Sequence, residues 1–338
     1  MVSDVETMIL KAIAGDIDFQ WRRLHGLENY TLLMEYQKKG DYRVINMLSL
    51  GSNYYTIFLN YHHKDPVLRK LFRDKRFRIA LSVAINRNEV STLITKGTAA
   101  PSQVAPGPET SALYEERIAK LYTGYDPKRA NQLLDEIGLK WDKSHEYRLR
   151  SDGKRLRVVI IAELHPLGNV EAMELVKGYW KNVGIQVVVK PITYPLWNTR
   201  TMACEHDIVA YAVTVGYSRL LPITGQVFPL DQYFYTAPMW GLWFSTNGKS
   251  GEEPPAELKQ MMKHRHEAII TTSSEKRNEL IKEAFRISVE NLLQIGMLRP
   301  LGIERFCIAK NNFRNIPEPS LDPGDLTIQH LATCFIKK

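Results

Sequence analysis

Leu156-Arg-Val-Val-Ile-Ile-Ala162, then Gly184-Ile-Gln-Val-Val-Val-Lys190, then Asp207-Ile-Val-Ala-Tyr-Ala-Val213: these three runs, and what lies between them, decide the fold. Each is short, rich in Val and Ile, and bounded by turn or polar residues, the pattern of a buried strand. The first interval reads as a helix capped by Asn169 and ended by Gly184; the second holds a helix around Leu196–Ala203. The order is therefore β-α-β-α-β, which the handedness of crossover connections turns into a right-handed, mostly parallel sheet with flanking helices. Ligands of such open sheets bind beyond the carboxyl ends of the strands. Those ends carry Glu163 and His165, then Thr193, Tyr194 and Trp197, then Gly216, Tyr217 and Arg219.

Working upstream, Ser151-Asp152-Gly153-Lys154 is a hairpin turn. Before it, Asp126 and Pro127 open a helix that keeps Ala130, Leu133, Leu134 and Ile137 on one face and stops at Gly138. Pro66 to Gly97 reads as helical, followed by a loop with Pro101, Pro106, Gly107 and Pro108. At the start, Ser3 and Glu6 form a capping box for a helix ended by Gly15. A short strand at Asp16–Phe19, a helix over Thr31–Lys39, and strands Arg43–Leu48 and Tyr54–Leu59 follow. Downstream, Gly216–Pro254 reads as long, irregular and aromatic, with Phe228, Tyr233, Phe234, Tyr235, Trp240, Trp243 and Phe244. Two helices follow, one from Pro255 to about Ile270, the other opened by Thr272 and Glu275 and stopped at Gly296.

The chain of 338 residues carries 45 Lys+Arg and 37 Asp+Glu, a formal charge of +8. Its length favours two domains or one large one, and 44% apolar with 24% charged residues is the make-up of a globular protein. No run approaches the roughly 18 consecutive apolar residues of a membrane-spanning helix, so the chain reads as soluble. Three cysteines, Cys204, Cys307 and Cys334, form no framework. The densest basic run, Arg69, Lys70, Arg73, Lys75, Arg76 and Arg78, interleaves with Phe72, Phe77, Ile79 and Leu81. It reads as the solvated face of amphipathic helices, and no nucleic-acid motif accompanies it.

Catalytic and metal motifs do not survive inspection. Gly248-Lys249-Ser250 looks like the end of a phosphate loop, but the required earlier glycine falls on Trp243. His62 and His63 are adjacent in an extended segment, and His264 and His266 are two apart on a helix, so neither pair shares a face. No nucleophilic triad order or zinc-protease motif is present. The sequence asks for neither an enzyme nor a cofactor. The aromatic stretch beside the predicted ligand edge points instead to stacking on flat ligand faces, sugar rings among them.

Several segments, in order, resemble the family 5 extracellular solute-binding proteins of ABC importers, the oligopeptide- and dipeptide-binding class. They are Ala12–Asp18, Leu59-Asn60, Asp74-Lys-Arg-Phe-Arg-Ile-Ala-Leu-Ser-Val-Ala-Ile-Asn-Arg-Asn-Glu-Val90, Tyr125-Asp126-Pro127 through Leu134, Gly184–Val187 and Asn311–Pro317. The resemblance implies an α/β, periplasmic-binding-protein-like (type II) fold whose second lobe is complete and whose first is partial. Residues 1–60 are expected as a remnant of the first lobe, 61–299 as the second lobe, and 300–338 as the return to the first. Met1 falls well inside the family pattern, and the export signal that begins family members is absent from the sequence as it stands.

The function implied is capture of a solute in an interlobe cleft and delivery to a membrane ABC permease, by a monomer outside the cytoplasm: extracellular, periplasmic or surface-attached. Peptide-binding members hold the peptide's amino group on an Asp just after the third strand, where this chain has Gly216-Tyr217-Ser218-Arg219. Pro238-x-Trp240-Gly241-x-Trp243 looks more like the oligosaccharide-binding branch. The sequence therefore favours an oligosaccharide, stacked by Tyr194, Trp197, Tyr217, Trp240 and Trp243 with Glu163 and Arg219 as polar partners. A peptide ligand, and a truncated sensor or adaptor that binds a protein, are the alternatives.

Overall fold

A computed structural model describes residues 4–21, 24, 27–48, 51–107, 109, 111–164, 169–214, 225–301, 306–316, 320–321 and 334–337. Packing divides the chain into two units: residues 1–50 with 300–338, and residues 51–299.

The first unit opens with helix α1 (Val5–Ala14), strand β1 (Phe19–Gln20), helix α2 (Leu27–Tyr36) and strand β2 (Tyr42–Leu48). The cap of α1 is Asp4, whose carboxylate accepts from the Thr7 N–H at 2.7 Å, and not the expected Ser3, which lies outside the described residues. Gly15 ends the helix in the left-handed region at φ 81°, where a side chain would be strained. Met8, Ile9 and Ala12 of α1 meet Leu33, Tyr42, Phe306 and Ile308 in a small core of their own.

The second unit runs β3 (Gly51–Leu59), α3 (Pro66–Arg73), α4 (Lys75–Val83), α5 (Arg87–Thr95), β4 (Ala99–Pro101), α6 (Glu116–Ala119), α7 (Pro127–Glu136), β5 (Arg157–Glu163), α8 (Asn169–Lys181), β6 (Gln186–Ile192), α9 (Tyr194–Met202), β7 (Ile208–Thr214), α10 (Pro238–Ser245), α11 (Ala256–Ile270), α12 (Ser274–Glu290) and β8 (Leu298–Pro300). Its sheet has the order β4-β8-β3-β7-β5-β6. As the sequence implies, β5 pairs in parallel with both β6 and β7. Next to this trio, β3 runs antiparallel to β7, so the sheet is mixed and residues 51–59 belong to it rather than to the first unit. The return segment adds β9 (Phe306–Lys310), β10 (Phe313–Arg314), β11 (Ser320–Leu321) and β12 (Phe335–Ile336), with β9 antiparallel to β1 and β2.

The helical stretch after Pro66 is cut into three by caps. Asp65 accepts from Val67 and Leu68 N–H groups, Asp74 both ends α3 and caps α4, and Asn86 caps α5. The basic run departs from a solvated face. Arg69 Nε donates to His63 O and Arg73 Nε to Tyr61 O, each at 2.7 Å. Arg78 is buried and donates to the carbonyls of Phe72, Asn291 and Leu292, closing the open end of α12. Arg87, also buried, donates to the Ser82, Thr123 and Gly296 carbonyls. Position α12 starts one residue late, because Ser273, not Thr272, caps it.

The aromatic stretch expected to be irregular contains α10. Pro238 stands in its first turn. Pro-Met-Trp-Gly-Leu-Trp-Phe is apolar nearly all round, so it offers no 3.6-residue alternation by which to recognise a helix.

Candidate functional site

The carboxyl ends of β5, β6 and β7 form the edge that the sequence singled out. Glu163 is the last residue of β5, paired in register with Ile192 of β6. On the other side Ala162 pairs with Ala210, so Glu163 and Tyr211 occupy the next corresponding places on one face of the sheet. Two residues after Ile192, Tyr194 begins α9, and the helix lays Trp197 over the strand ends.

These positions bring rings together. Trp197 stacks on Tyr211 at 4.7 Å between centroids and on Tyr194 at 6.1 Å. Tyr235 meets the Trp197 ring edge-on at 4.8 Å and Tyr211 at 6.0 Å, and Tyr233 stands 6.2 Å from Tyr235. Trp197 is fully buried, whereas Tyr194 and Tyr233 are 42% and 40% exposed. The cluster thus has a closed floor of Trp197 and Tyr235 and an open rim of tyrosines, the make-up of a ligand surface.

Among the described residues, several polar groups here have no partner. Glu163 is 7% exposed, and its Oε2 has no hydrogen-bond partner among the described residues. Burial pushes its pKa upward. Trp197 Nε1 and Asn198 Oδ1 are likewise buried and unpartnered there. Burial also raises the Tyr194 phenol, with Tyr233 and then Glu163 adding to the shift. Buried polar atoms are almost always paired in folded proteins; Tyr61, His62 and His206 carry others at the opposite edge, so the three here bear on a ligand only together with the exposed tyrosine rim.

Trp240 and Trp243 stand elsewhere. Trp240, 5% exposed, packs edge-on against Tyr61 and His62 at 5.7 and 5.5 Å, and its Nε1 donates to Glu252 at 3.3 Å. Tyr61 and His62 follow β3, which runs antiparallel to β7, so they sit at the amino edge of the parallel strands, opposite Glu163. Trp243 meets Phe244 and the Lys259 ammonium and covers the turn at Gly248. That turn is closed by Thr246, whose hydroxyl accepts from Ser250 N–H at 3.0 Å, and Gly251 brings the chain so close to Met239 that a Cβ would lie 2.3 Å from its carbonyl oxygen. Both tryptophans hold a loop to the scaffold.

The structure therefore joins Glu163, Tyr194 and Trp197 and separates Trp240 and Trp243 from them. Tyr217, Arg219 and His165 lie outside the described residues. Tyr211 and Tyr235 are members the sequence reading did not assign to the site. Tyr211 was visible as an aromatic near the end of a predicted strand; the alternation of Tyr233 and Tyr235 was hidden in a stretch read as loop. Among the described residues no group of three or more His, Cys, Asp or Glu side chains is placed to hold a metal ion, and no helix is long and apolar enough to cross a membrane.

With this geometry in view, relatives can be compared. A sequence profile described as "Bacterial extracellular solute-binding proteins, family 5 Middle" matches residues 1–228. The oligopeptide-binding protein OppA of Lactococcus lactis subsp. cremoris (strain SK11) is 27% identical over 186 residues, 52% of this chain and 28% of that protein. The periplasmic alpha-galactoside-binding protein of Rhizobium meliloti (strain 1021) is 21% identical over 279 residues, 79% of this chain and 38% of that protein. Among solved structures, an oligopeptide-binding protein OppA superposes with a TM-score of 0.78 at 34% identity, over 100% of this chain and 56% of that one. The periplasmic binding protein MelB from Agrobacterium fabrum C58, in complex with stachyose, shares the fold at a TM-score of 0.75 and 17% identity, over 94% of this chain and 48% of that one. This chain thus spans about half the length of these solved relatives. By its profile match, its mixed α/β architecture and these superpositions, it belongs to the family 5 bacterial extracellular solute-binding proteins.

Proposed function

We propose that the chain is the solute-capturing component of an ABC importer: it holds a small solute at the carboxyl edge of the second unit's sheet and hands it to a membrane permease. Family membership supports the role, and the convergence of Glu163, Tyr194, Trp197, Tyr211 and Tyr235 at that edge is the observation that carries the site. The work is binding, with no covalent step, and its place is outside the cytoplasm, as the family's description says of its members.

The solute is an oligopeptide or an oligosaccharide, and we put the peptide first. The oligosaccharide reading leaned on Trp240 and Trp243 as stacking faces, and both pack away from Glu163. The relative named for peptides is 34% identical over the whole chain, against 17% for the one solved with stachyose. Thermal unfolding against pools of short peptides and of neutral oligosaccharides tests the reading. A ligand at a hundred times its dissociation constant adds about 2.7 kcal/mol, a readily measured rise in Tm. No rise with either pool would discard solute capture and favour an adaptor that binds a protein partner.

A further inference from the structure

We infer that Asn53 is a positioning residue for solute capture: its amide holds β3 in a strained bulge, and the bulge sets the end of β7 that presents Tyr211. This rests on the solute-capture reading and adds to it a residue that acts without touching the solute, since Asn53 is fully buried.

The register shows where β3 departs from a regular ladder. Thr56, Ile57, Phe58 and Leu59 pair one for one with Tyr211, Ala210, Val209 and Ile208, but the next pair is Asn53 with Val213. Tyr54 and Tyr55 together therefore oppose Ala212, the arrangement of a bulge, and a further shift follows before Gly51 pairs with Thr214. On its other side β3 keeps a single register with β8, from Ile57 opposite Ile295 to Tyr54 opposite Leu298. The bulge thus acts on β7. Its backbone is strained: Tyr55 stands at φ 60°, in the left-handed region, although it is a bulky side chain only 3% exposed. Strain of this kind persists only where the surroundings impose it.

The Asn53 amide supplies that constraint. Its Oδ1 accepts from the Met297 N–H at 2.7 Å and from the Thr56 hydroxyl at 3.1 Å, and its Nδ2 donates to the Ser102 and Gln103 carbonyls at 2.9 and 3.2 Å. One amide, with all four of its bonding places used, joins the two ends of the bulge to the start of β8 and to the segment after β4. Directly opposite residues share a face, so Asn53 and Thr56 lie on Tyr211's side of the sheet. A regular ladder would set Tyr54 against Val213 and turn a phenol ring, in place of this amide, onto that side. The bulge decides what stands next to Tyr211, on which Trp197 stacks at 4.7 Å.

The test is calorimetric titration of the full chain with a pool of tri- to pentapeptides and with stachyose, alongside amide hydrogen exchange across residues 211–214 without solute. Asn53→Ala is expected to weaken whichever probe binds by about fivefold or more, and to speed exchange across that stretch. Adding Tyr55→Gly should recover most of the affinity and the protection, because glycine adopts positive φ without the amide's help. A merely structural loss would not recover, since the double variant has lost a buried ring as well. Parent affinity in Asn53→Ala, or no recovery in the double variant, would overturn the inference while solute capture survives. Should Asn53→Ala fail to fold, Tyr55→Val and Tyr55→Gly decide the matter. Both lose the ring, but only valine resists the left-handed backbone, so valine should cost more affinity and more protection; equal effects would overturn the inference. An unaltered chain that binds neither probe would count against solute capture itself. Exchange needs no solute, and in that case parent-like exchange in Asn53→Ala would separately show that Asn53 does not hold the end of β7.

Discussion

The two edges of the second unit's sheet treat charge in opposite ways. At the amino edge, charges are matched. His63 lies 2.8 Å from Asp207, whose other oxygen accepts from Val159 N–H, and Arg73 reaches Glu252 at 2.8 Å. Asn60 sits between them, buried, donating to the Cys204 and His206 carbonyls and accepting from His62 N–H. At the carboxyl edge Glu163 Oε2 has no partner among the described residues, and tyrosines stand beside it. Buried polar atoms without partners among the described residues occur at both edges, on Tyr61, His62 and His206 at one and on Glu163, Trp197 and Asn198 at the other, so the contrast lies in the pairing of carboxylates alone. The difference locates the site more sharply than the count of aromatics, since both edges have tryptophans.

The largest expected effect belongs to the amino edge. Burial lowers His62 and His206 from the ordinary 6.5 to about 4 in the folded chain; at His62 Glu252 opposes this while Arg73 and Arg69 reinforce it. The unfolded chain therefore binds more protons between pH 6.5 and 4, and stability falls as pH falls through that window. Between pH 7.5 and 4.5 each histidine should remove on the order of 2 kcal/mol, read from urea midpoints. The double variant His62→Gln, His206→Gln should flatten that slope. An unchanged slope would mean the histidines are not held neutral. Next in size is Asn60→Ala, which strands two buried carbonyls and should cost about 2–3 kcal/mol. A loss under about 0.5 kcal/mol would show that this edge does not depend on Asn60.

A smaller effect separates scaffold from site. Trp240→Phe keeps a ring against Tyr61 and His62 but loses the bond to Glu252, for about 1–2 kcal/mol. If solute affinity drops with it by more than the stability loss explains, Trp240 returns to the binding surface.

These edges were not equally legible in the sequence. The parallel trio was, because Val158–Ala162, Val187–Val189 and Ile208–Val213 are continuous apolar runs separated by helical spacings. In the run from Asp74 to Val90 the burial of Arg78 and Arg87 against distant carbonyls escaped a reading that made the basic run a solvated face, whereas Asp74 and Asn86 cap α4 and α5. Local rules of capping determine such residues, so a single sequence displays them. The antiparallel strand β3 was read as a strand, but its pairing with β7 is a contact between residues some 150 apart, which no local pattern encodes. Trp240 and Trp243 misled for a similar reason. A tryptophan on a platform and a tryptophan under a loop look alike until the partners are known; here the partners are Tyr61, His62 and Lys259. Glu163 was picked out by its place at a strand end, but that it lacks a partner among the described residues is visible only in three dimensions.

The smallest stability change has the opposite sign from the others and tests the contrast most directly. Glu163 is the group whose folded pKa is raised, so the folded chain holds its proton more tightly than the unfolded one. Its penalty is present in full above the raised pKa and disappears below the ordinary carboxyl value, so this residue's contribution to stability falls as pH rises through that interval. That is the reverse of the amino-edge histidines. Glu163→Gln removes the charge and keeps the shape, and at pH 7.5 it should stabilise the ligand-free chain, with the gain vanishing as pH falls to the ordinary carboxyl range. Gains of this kind on removing a polar group are the mark of a site held ready for a ligand rather than for the fold. A variant that is less stable than the parent at pH 7.5 would mean Glu163 is matched after all, and the two edges would then differ only in which aromatic residues they carry.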